Sequence, residues 1–270
     1  MREKLEHLKS IISRYPSALI AFSGGVDSTF LASVASEVLN KKVLLVTASS
    51  STYPSSEQEE AVKLAEQMGI PHRVIASEET EIKGFVENTP HRCYYCKQEL
   101  FSKLTTLARQ EGYSVVFDGS NADDLGDYRP GRKATNELGV VSPLCEAGLT
   151  KAEIRELSRE RGLSTADKPS YACLASRFPY GEQITREKLE RVGIAEEELK
   201  QLGFRQFRVR SHRDLARIEV ATGEIAKAWQ MRAVIGDICK KAGFTFVAID
   251  VQGYRTGAMN EALEQGTKSR

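Results

Sequence analysis

The sequence predicts an α/β protein: a doubly wound, mostly parallel sheet with a smaller C-terminal α+β domain. Three observations carry that expectation. Up to about residue 165, short apolar runs alternate with stretches of helical period, the pattern of strand–helix–strand units. From residue 187 onward this gives way to a helix, two adjoining strands, a long helix and a last strand. The chemically distinctive glycines, serines and aspartates directly follow the apolar runs, at the carboxyl ends where open parallel sheets bind ligands. The expected domains are 1–170, a connecting loop 171–186, and 187–270.

Taken in order, "MREKLEHLKSIISRY" reads as a charged amphipathic helix. "SALIAFSG" (17–24) is a buried strand, followed by a helix over 28–39. "KVLLVTAS" (42–49) is the second strand, and "SEQEEAVKLAEQMG" (56–69) a helix with Gly69 at its C-terminal cap. "HRVIAS" (72–77) is the third strand, and a helix over 97–111 leads to a fourth, "YSVVFDGS" (113–120). "VVSPL" (140–144) suggests a short fifth. Thr150 then caps a helix over 150–162, with Glu153 completing a capping box. "DKPSYACLASRFPYGEQIT" (167–185) has loop character. Beyond it come a helix (187–203), a strand rich in arginine (204–212), its hairpin partner (215–220), a helix (223–243) and a strand (244–253).

With 41% hydrophobic and 28% charged residues, the composition is that of a soluble globular protein. No apolar run approaches the roughly 18–20 residues of a membrane span, and the N-terminus lacks the apolar core of an export signal. Five cysteines with one close pair argue against a secreted disulfide framework, so a cytoplasmic protein is expected. A net charge of +1 gives no global attraction for nucleic acid, so any anion site must be local.

"SGGVDS" (23–28) joins the first strand to its helix. Such a turn gathers free backbone N–H groups and the positive end of a helix at one point. Gly24 and Gly25 let the backbone approach a phosphate, and the Ser23 and Ser28 hydroxyls add hydrogen bonds. The lysine of the Walker pattern is missing, so this is not a kinase or GTPase loop. The six residues resemble the pyrophosphate loop (PP-loop) of the adenine-nucleotide α-hydrolase, HUP-like superfamily. That resemblance implies ATP cleavage between the α and β phosphates and an adenylated substrate. It also implies that "TASSS" (47–51), with Ser49, lies against adenosine, and that "DGSNADD" (118–124), with Gly119, lies beside the nucleotide. Asp27 is a candidate Mg²⁺ ligand, although an acid in a helix's first turn is also placed there by the dipole alone.

Cys93 and Cys96 form C-x-x-C, which suits a redox dithiol, half of a zinc site or part of an iron–sulfur cluster. Cys239 lies in an amphipathic pattern and Cys145 follows an apolar run, so both read as structural. Cys173 stands in the loop beside Ser176 and Arg177, which suggests a three-thiolate set of Cys93, Cys96 and Cys173. Three thiolates leave one iron of a [4Fe-4S] cluster open to an exogenous hydrosulfide. Structural zinc, with His91 as fourth ligand, is the alternative.

"SRFPYG" (176–181), "DYRPGRKA" (127–134) and "RVRSHRDLARIE" (208–219) make the resemblance specific. Over nearly its whole length the chain resembles the LarE family, ATP-dependent sulfur transferases acting on pyridinium-3,5-biscarboxylic acid mononucleotide. The resemblance implies synthesis of the nickel-pincer nucleotide cofactor of lactate racemase, with ATP, Mg²⁺ and a sulfide or other sulfur donor, by a homo-oligomer. The best-known members carry a lone cysteine near this motif and surrender its sulfur. The C-x-x-C here departs from them and matches the three-cysteine, cluster-containing members. Arg208 and Arg210 alternate on one strand face and suit a substrate phosphate, while Arg177 and Lys97 stand beside the proposed thiolates. Lys97, Ser176 and Glu196 match positions near the family's substrate and metal sites. A tRNA thiolase is the competing enzyme reading, although no broad basic surface or RNA-binding appendage is evident. An amidotransferase synthetase lacks a glutaminase segment here, and a non-catalytic nucleotide or metal carrier is the alternative of another class.

Overall fold

The computed structural model describes residues 1–40, 42–125, 131–169, 171–255 and 258. In chain order its elements begin α1 (Arg2–Ile12), β1 (Ala18–Ala21), α2 (Val26–Val38), β2 (Val43–Ser49), α3 (Ser55–Met68) and β3 (His72–Ala76). They continue with α4 (Lys83–Val86), α5 (Arg92–Gln110), β4 (Val115–Phe117), α6 (Gly131–Glu137), α7 (Pro143–Glu146) and α8 (Lys151–Glu160). The last are α9 (Arg186–Gln201), β5 (Phe207–His212), β6 (Leu215–Val220), α10 (Ile225–Gln230), α11 (Arg232–Lys241) and β7 (Phe246–Ile249). Two compact units result. One holds Met1–Ser50, Ser55–Glu79 and His91–Tyr171; the other holds Ser51–Pro54, Thr80–Pro90 and the chain from Ala172 on. Among the described residues no helix is long and apolar enough to cross a membrane.

The first unit is built on a parallel sheet in the order β3-β2-β1-β4. Because successive strand side chains point to opposite faces, its apolar residues sort into two cores. Ile20, Val43, Leu45, Val115 and Phe117 pack with α1, α2, α3 and α8 on one side, through Leu8, Phe30, Ala61 and Ile154. Leu19, Leu44, Val46 and Val116 meet Phe101, Leu104 and Ala108 of α5 on the other. The doubly wound sheet is therefore correct, and continuous apolar strands are what two covered faces require. Local signals agree. Gly69 ends α3 at φ +63°, and Thr150 and Glu153 form the reciprocal capping box of α8.

The sheet order carries one functional consequence. Chain connections leave β1 toward β2 on one side, while β4 pairs on its other side. The crevice at the carboxyl ends of β1 and β4 is thus the topological switch point, where such sheets bind ligands.

In the second unit β5 and β6 form the expected antiparallel hairpin, pairing Arg208 with Glu219 and Arg210 with Arg217. β7 adds in parallel to β6, with α10 and α11 forming the crossover. α9 packs on β5 and buries Leu189, Val192, Ala195 and Leu199 at helical spacing.

Several elements differ from expectation. α5 begins at Arg92, just after Pro90, so the C-x-x-C lies inside its first turn instead of preceding the helix. The expected fifth strand is a single bridge between Phe117 and Val141, because Pro143 has no N–H to donate and starts α7. The helix expected over 223–243 is two helices meeting at Met231, with no proline or glycine at the break to announce it. Residues 51–54, 80–90 and 172–186 cluster with the second unit. There Leu174 N–H donates to Thr52 O (2.8 Å), Ile184 N–H to Val86 O (2.9 Å) and buried Asn88 Nδ2 to Pro179 O (2.7 Å).

Candidate functional site

In the first unit, the turn after β1 has the geometry of an anion cradle. Gly25 is the N-cap of α2 and brings no side chain to the helix's first N–H groups. The Ser23 and Ser28 hydroxyls stand 3.2 Å apart, Ser23 N–H donates to Ser28 Oγ (3.3 Å) and Gly25 N–H donates to Ser23 Oγ (3.3 Å). Gly24 holds φ +66°, and a Cβ there would meet Ala61 of α3 at 3.1 Å, so only glycine fits. Gly119, after β4, comes as close: its missing Cβ would lie 3.3 Å from Ser28 N. Ser23, Gly24, Gly25, Asp27, Ser28 and Gly119 are thus gathered at the switch point.

Asp27 is held by Lys151, the first residue of α8, through Oδ2, whereas its Oδ1 is buried without a hydrogen-bond partner. An orphaned carboxylate oxygen beside a phosphate cradle fits a hard cation, so Asp27 is a suitable residue to hold Mg²⁺. Lys168 reaches the same turn from another direction, with Nζ 3.3 Å from Gly24 O, 3.0 Å from Glu57 and 3.1 Å from Glu60. Ser49 ends β2 and accepts Ser77 N–H through its carbonyl. Much of the stretch 118–124 is turn chemistry. Asp118 accepts from Ser120, Asn121 from Asp123 N–H, and Asp123 from Lys151 N–H at the start of α8.

Also in the first unit, Lys97 Nζ lies 3.7 Å from buried Asp118 at the end of β4. Cys93 is exposed and Cys96 half-buried, one turn apart on α5. The Cys96 thiol donates to Glu79 Oε1 at 3.7 Å, and the Ser50 and Ser77 hydroxyls also donate to that carboxylate. Burial pushes the Glu79 carboxyl above its ordinary range, against the pull of those hydroxyls. Gly131 lets α6 approach α5, since a Cβ would meet Lys97 Cδ at 2.7 Å and Cys93 O at 3.1 Å. Residues 127–130 of the "DYRPGRKA" motif lie outside the described residues.

The second unit holds Cys173, Ser176, Arg177, Glu196, Arg208 and Arg210. Arg177 is fully buried and bidentate to Glu196, with Nε and Nη2 each at 2.8 Å. Its Nη1 donates to the carbonyls of Ala172 (2.9 Å) and Cys173 (3.2 Å) and to Ser176 Oγ (2.7 Å). Glu196 also accepts Val209 N–H at 2.9 Å. Burial alone would push the Glu196 carboxyl up, but the Arg177 charge and hydrogen bonds, with Val209 N–H and the Arg208 charge, hold it below the usual range. Arg210 pairs with buried Glu219 and donates to Ser176 O (3.0 Å). Arg208, two residues earlier on the same face, stacks over Tyr254 at 5.1 Å. Arg177 and Arg210 therefore clamp the turn that bears Cys173. The sequence suggested cations placed for substrate, Arg177 beside a thiolate and Arg210 for a phosphate; here both are buried and engaged by Glu196 and Glu219.

No disulfide joins the five cysteines, and among the described residues no three His, Cys, Asp or Glu side chains are grouped as a metal site. Cys239 is fully buried and its thiol is pushed up to about 12 by burial, as a core residue's should be. Burial also raises the Cys145 thiol. Cys93, Cys96 and Cys173, none of them in an apolar core, are chemically suited to ligating soft iron. Glu79, Lys151 and Lys168 went unread in the sequence because their meaning depends on neighbours 17 to 144 residues away.

Comparison with known proteins agrees with this geometry. The asparagine synthase family model matches residues 16–218. An uncharacterized protein of Synechocystis sp. is 44% identical, with 97% of this chain and 99% of that protein covered. The pyridinium-3,5-bisthiocarboxylic acid mononucleotide synthase of Lactiplantibacillus plantarum is 36% identical, with 90% of this chain and 89% of the synthase covered. A tRNA-specific 2-thiouridylase of Rhizobium johnstonii is 28% identical, over 63% of this chain and 52% of the thiouridylase. The cradle at the β1/β4 crevice and these matches agree: the chain belongs to the asparagine synthase family of PP-loop enzymes and, within it, to the LarE group of the Lactiplantibacillus synthase.

Proposed function

We propose that the protein is an ATP-dependent sulfur transferase that converts a carboxylate of pyridinium-3,5-biscarboxylic acid mononucleotide to a thiocarboxylate, for nickel-pincer nucleotide synthesis. The observation that carries this is the 36% identity to a synthase of that product over 90% of the chain, both units included. In the first half-reaction a substrate carboxylate oxygen attacks the α-phosphorus of ATP. The bond to the β-phosphate bridging oxygen breaks, and pyrophosphate leaves. Ser23, Ser28 and the N–H groups of Gly25 and the α2 start would hold the departing phosphates, and Asp27 would hold Mg²⁺. Charge developing on pyrophosphate is thus met by backbone dipoles already in place. In the second half-reaction a sulfur nucleophile attacks the acyl carbon and AMP departs, leaving the thiocarboxylate.

Cys93, Cys96 and Cys173 would hold a [4Fe-4S] cluster. Such a cluster would supply a sulfide-level sulfur nucleophile, renewed from outside the chain. Arg177 and Glu196 position the Cys173 turn, and Lys97, Ser176, Arg208 and Arg210 would recognise the substrate carboxylate and phosphate.

The test is ATP–pyrophosphate exchange. Exchange that requires the pyridinium mononucleotide and ignores tRNA supports this reading. Exchange that responds to tRNA alone makes the protein a thiolase, and no exchange with any acid makes it a carrier.

A further inference from the structure

Metal ligation does not exhaust the chemistry of the C-x-x-C pair. Cys93 and Cys96 lie in the first turn of α5, a helix of 19 residues. Helical geometry sets Cα atoms three residues apart at about 5 Å, inside the roughly 4.4–6.8 Å that a disulfide bridges. Side chains at that spacing share a face, and a first turn, whose N–H groups have no intrahelical partner, yields most easily to the small adjustment a bridge requires. The turn is braced from outside. α6 comes against the Cys93 carbonyl at Gly131, and Tyr94, between the two cysteines, donates its hydroxyl to Glu137 of α6 at 2.8 Å. The two thiols are also unequal: Cys93 is exposed, whereas Cys96 is half-buried and donates to Glu79. An incoming disulfide can reach the exposed sulfur, and the sheltered one is placed to displace what it brings. Burial raises the thiols of Cys145 and Cys239 above the ordinary range, which disfavours the reacting thiolate at either.

We propose that Cys93 and Cys96 form a reversible thiol–disulfide exchange site for small-molecule disulfides of the glutathione class. The Cys93 thiolate attacks one sulfur of the incoming disulfide, the S–S bond breaks, and one glutathione departs. The Cys96 thiolate then attacks Cys93 Sγ, the mixed S–S bond breaks, and the second glutathione leaves. The two protein thiols lose two electrons, the incoming disulfide is reduced to two thiols, and the two cysteine protons end on them. Once closed, the pair offers no thiolate to a metal, so the bond withholds two cluster ligands until a dithiol reductant opens it. That consequence rests on the cluster reading above; the exchange itself needs no metal.

The test equilibrates the full chain, freed of metal by chelation, with oxidised and reduced glutathione, then alkylates and digests it. Trypsin cuts after Arg92 and Lys97 and so releases both cysteines in the peptide 93–97. Mass spectrometry should find that peptide unalkylated and lighter by two hydrogens, a change that dithiothreitol reverses. The internal bond should exceed the mixed disulfide at least about tenfold at millimolar glutathione, since its second thiol is held within one turn. In Cys96→Ser the same peptide should carry glutathione instead, and Cys173→Ser should leave the wild-type result unchanged. A wild-type peptide with glutathione on Cys93 and an alkylated Cys96 overturns the assignment. So does a bond from either cysteine to Cys173, or a peptide alkylated twice in the oxidising buffer. Each of these leaves the cluster reading standing, to be judged separately by iron and sulfide content.

Discussion

Removing the carboxylate of Glu196 should unfold the second unit's core more readily than almost any other single surface-neutral change. Arg177 is 0% exposed and donates two 2.8 Å hydrogen bonds to Glu196, and Val209 N–H donates to the same carboxylate. In Glu196→Ala the guanidinium stays buried with its charge uncompensated, which typically costs about 3–5 kcal/mol. For a unit of roughly a hundred residues each kcal/mol moves Tm by about 4–8 °C, so a fall beyond about 12 °C is expected. Thermal melting followed by circular dichroism measures it. Combining Glu196→Leu with Arg177→Met removes both charges and should recover most of the loss, because an apolar pair needs no desolvated partner. The sign of the pH dependence is also set. Glu196 has a depressed folded-state pKa, so its contribution is complete above the unfolded carboxylate range and disappears as pH falls through the lower folded value. A shift under about 3 °C in Glu196→Ala, or a double variant no more stable than the single, would refute this account of the pair.

Other consequences follow from the same contacts. Glu153, held at about 2 chiefly by Lys4 and the Thr150 cap, stabilises α8 at neutral pH and loses that contribution between about pH 4.5 and 2. Glu153→Gln should therefore flatten the acid limb of a stability–pH curve and cost about 1 kcal/mol at pH 7. Gly24→Ala, which forces a side chain into φ +66° against Ala61, should abolish nucleotide binding measured by calorimetry while the fold survives. Alkylation of the native, metal-free protein at pH 8 should label exposed Cys93 and spare Cys239, as read by mass spectrometry of peptides. Protein purified without oxygen should contain about four iron and four sulfide per chain, falling sharply in Cys173→Ala.

Much of this was legible beforehand because the signals were local. Alternating apolar runs specify strands with two covered faces, and "SGGVDS" announces a turn whose glycines and serines have one obvious use. The Thr150–Glu153 box and Gly69 mark helix ends through their own neighbours. What escaped was set by tertiary contact. α5 extends back through Cys93 and Cys96 although Cys-Tyr-Tyr-Cys is a poor helix former. Packing of Gly131 against the Cys93 carbonyl accompanies that first turn. Arg177 and Arg210 read as substrate cations in the sequence, whereas Glu196 and Glu219, 19 and 9 residues on, are buried against them. No periodicity encodes a long-range ion pair.

The most direct test of the central claim is the yield of thiocarboxylate per chain, with ATP, Mg²⁺, the pyridinium mononucleotide and sulfide, on cluster-loaded protein without oxygen. The account predicts many equivalents per chain, with Cys173 intact afterwards by mass spectrometry and production lost in Cys173→Ala. A yield that stops at one equivalent, with Cys173 stripped of its own sulfur, would contradict it.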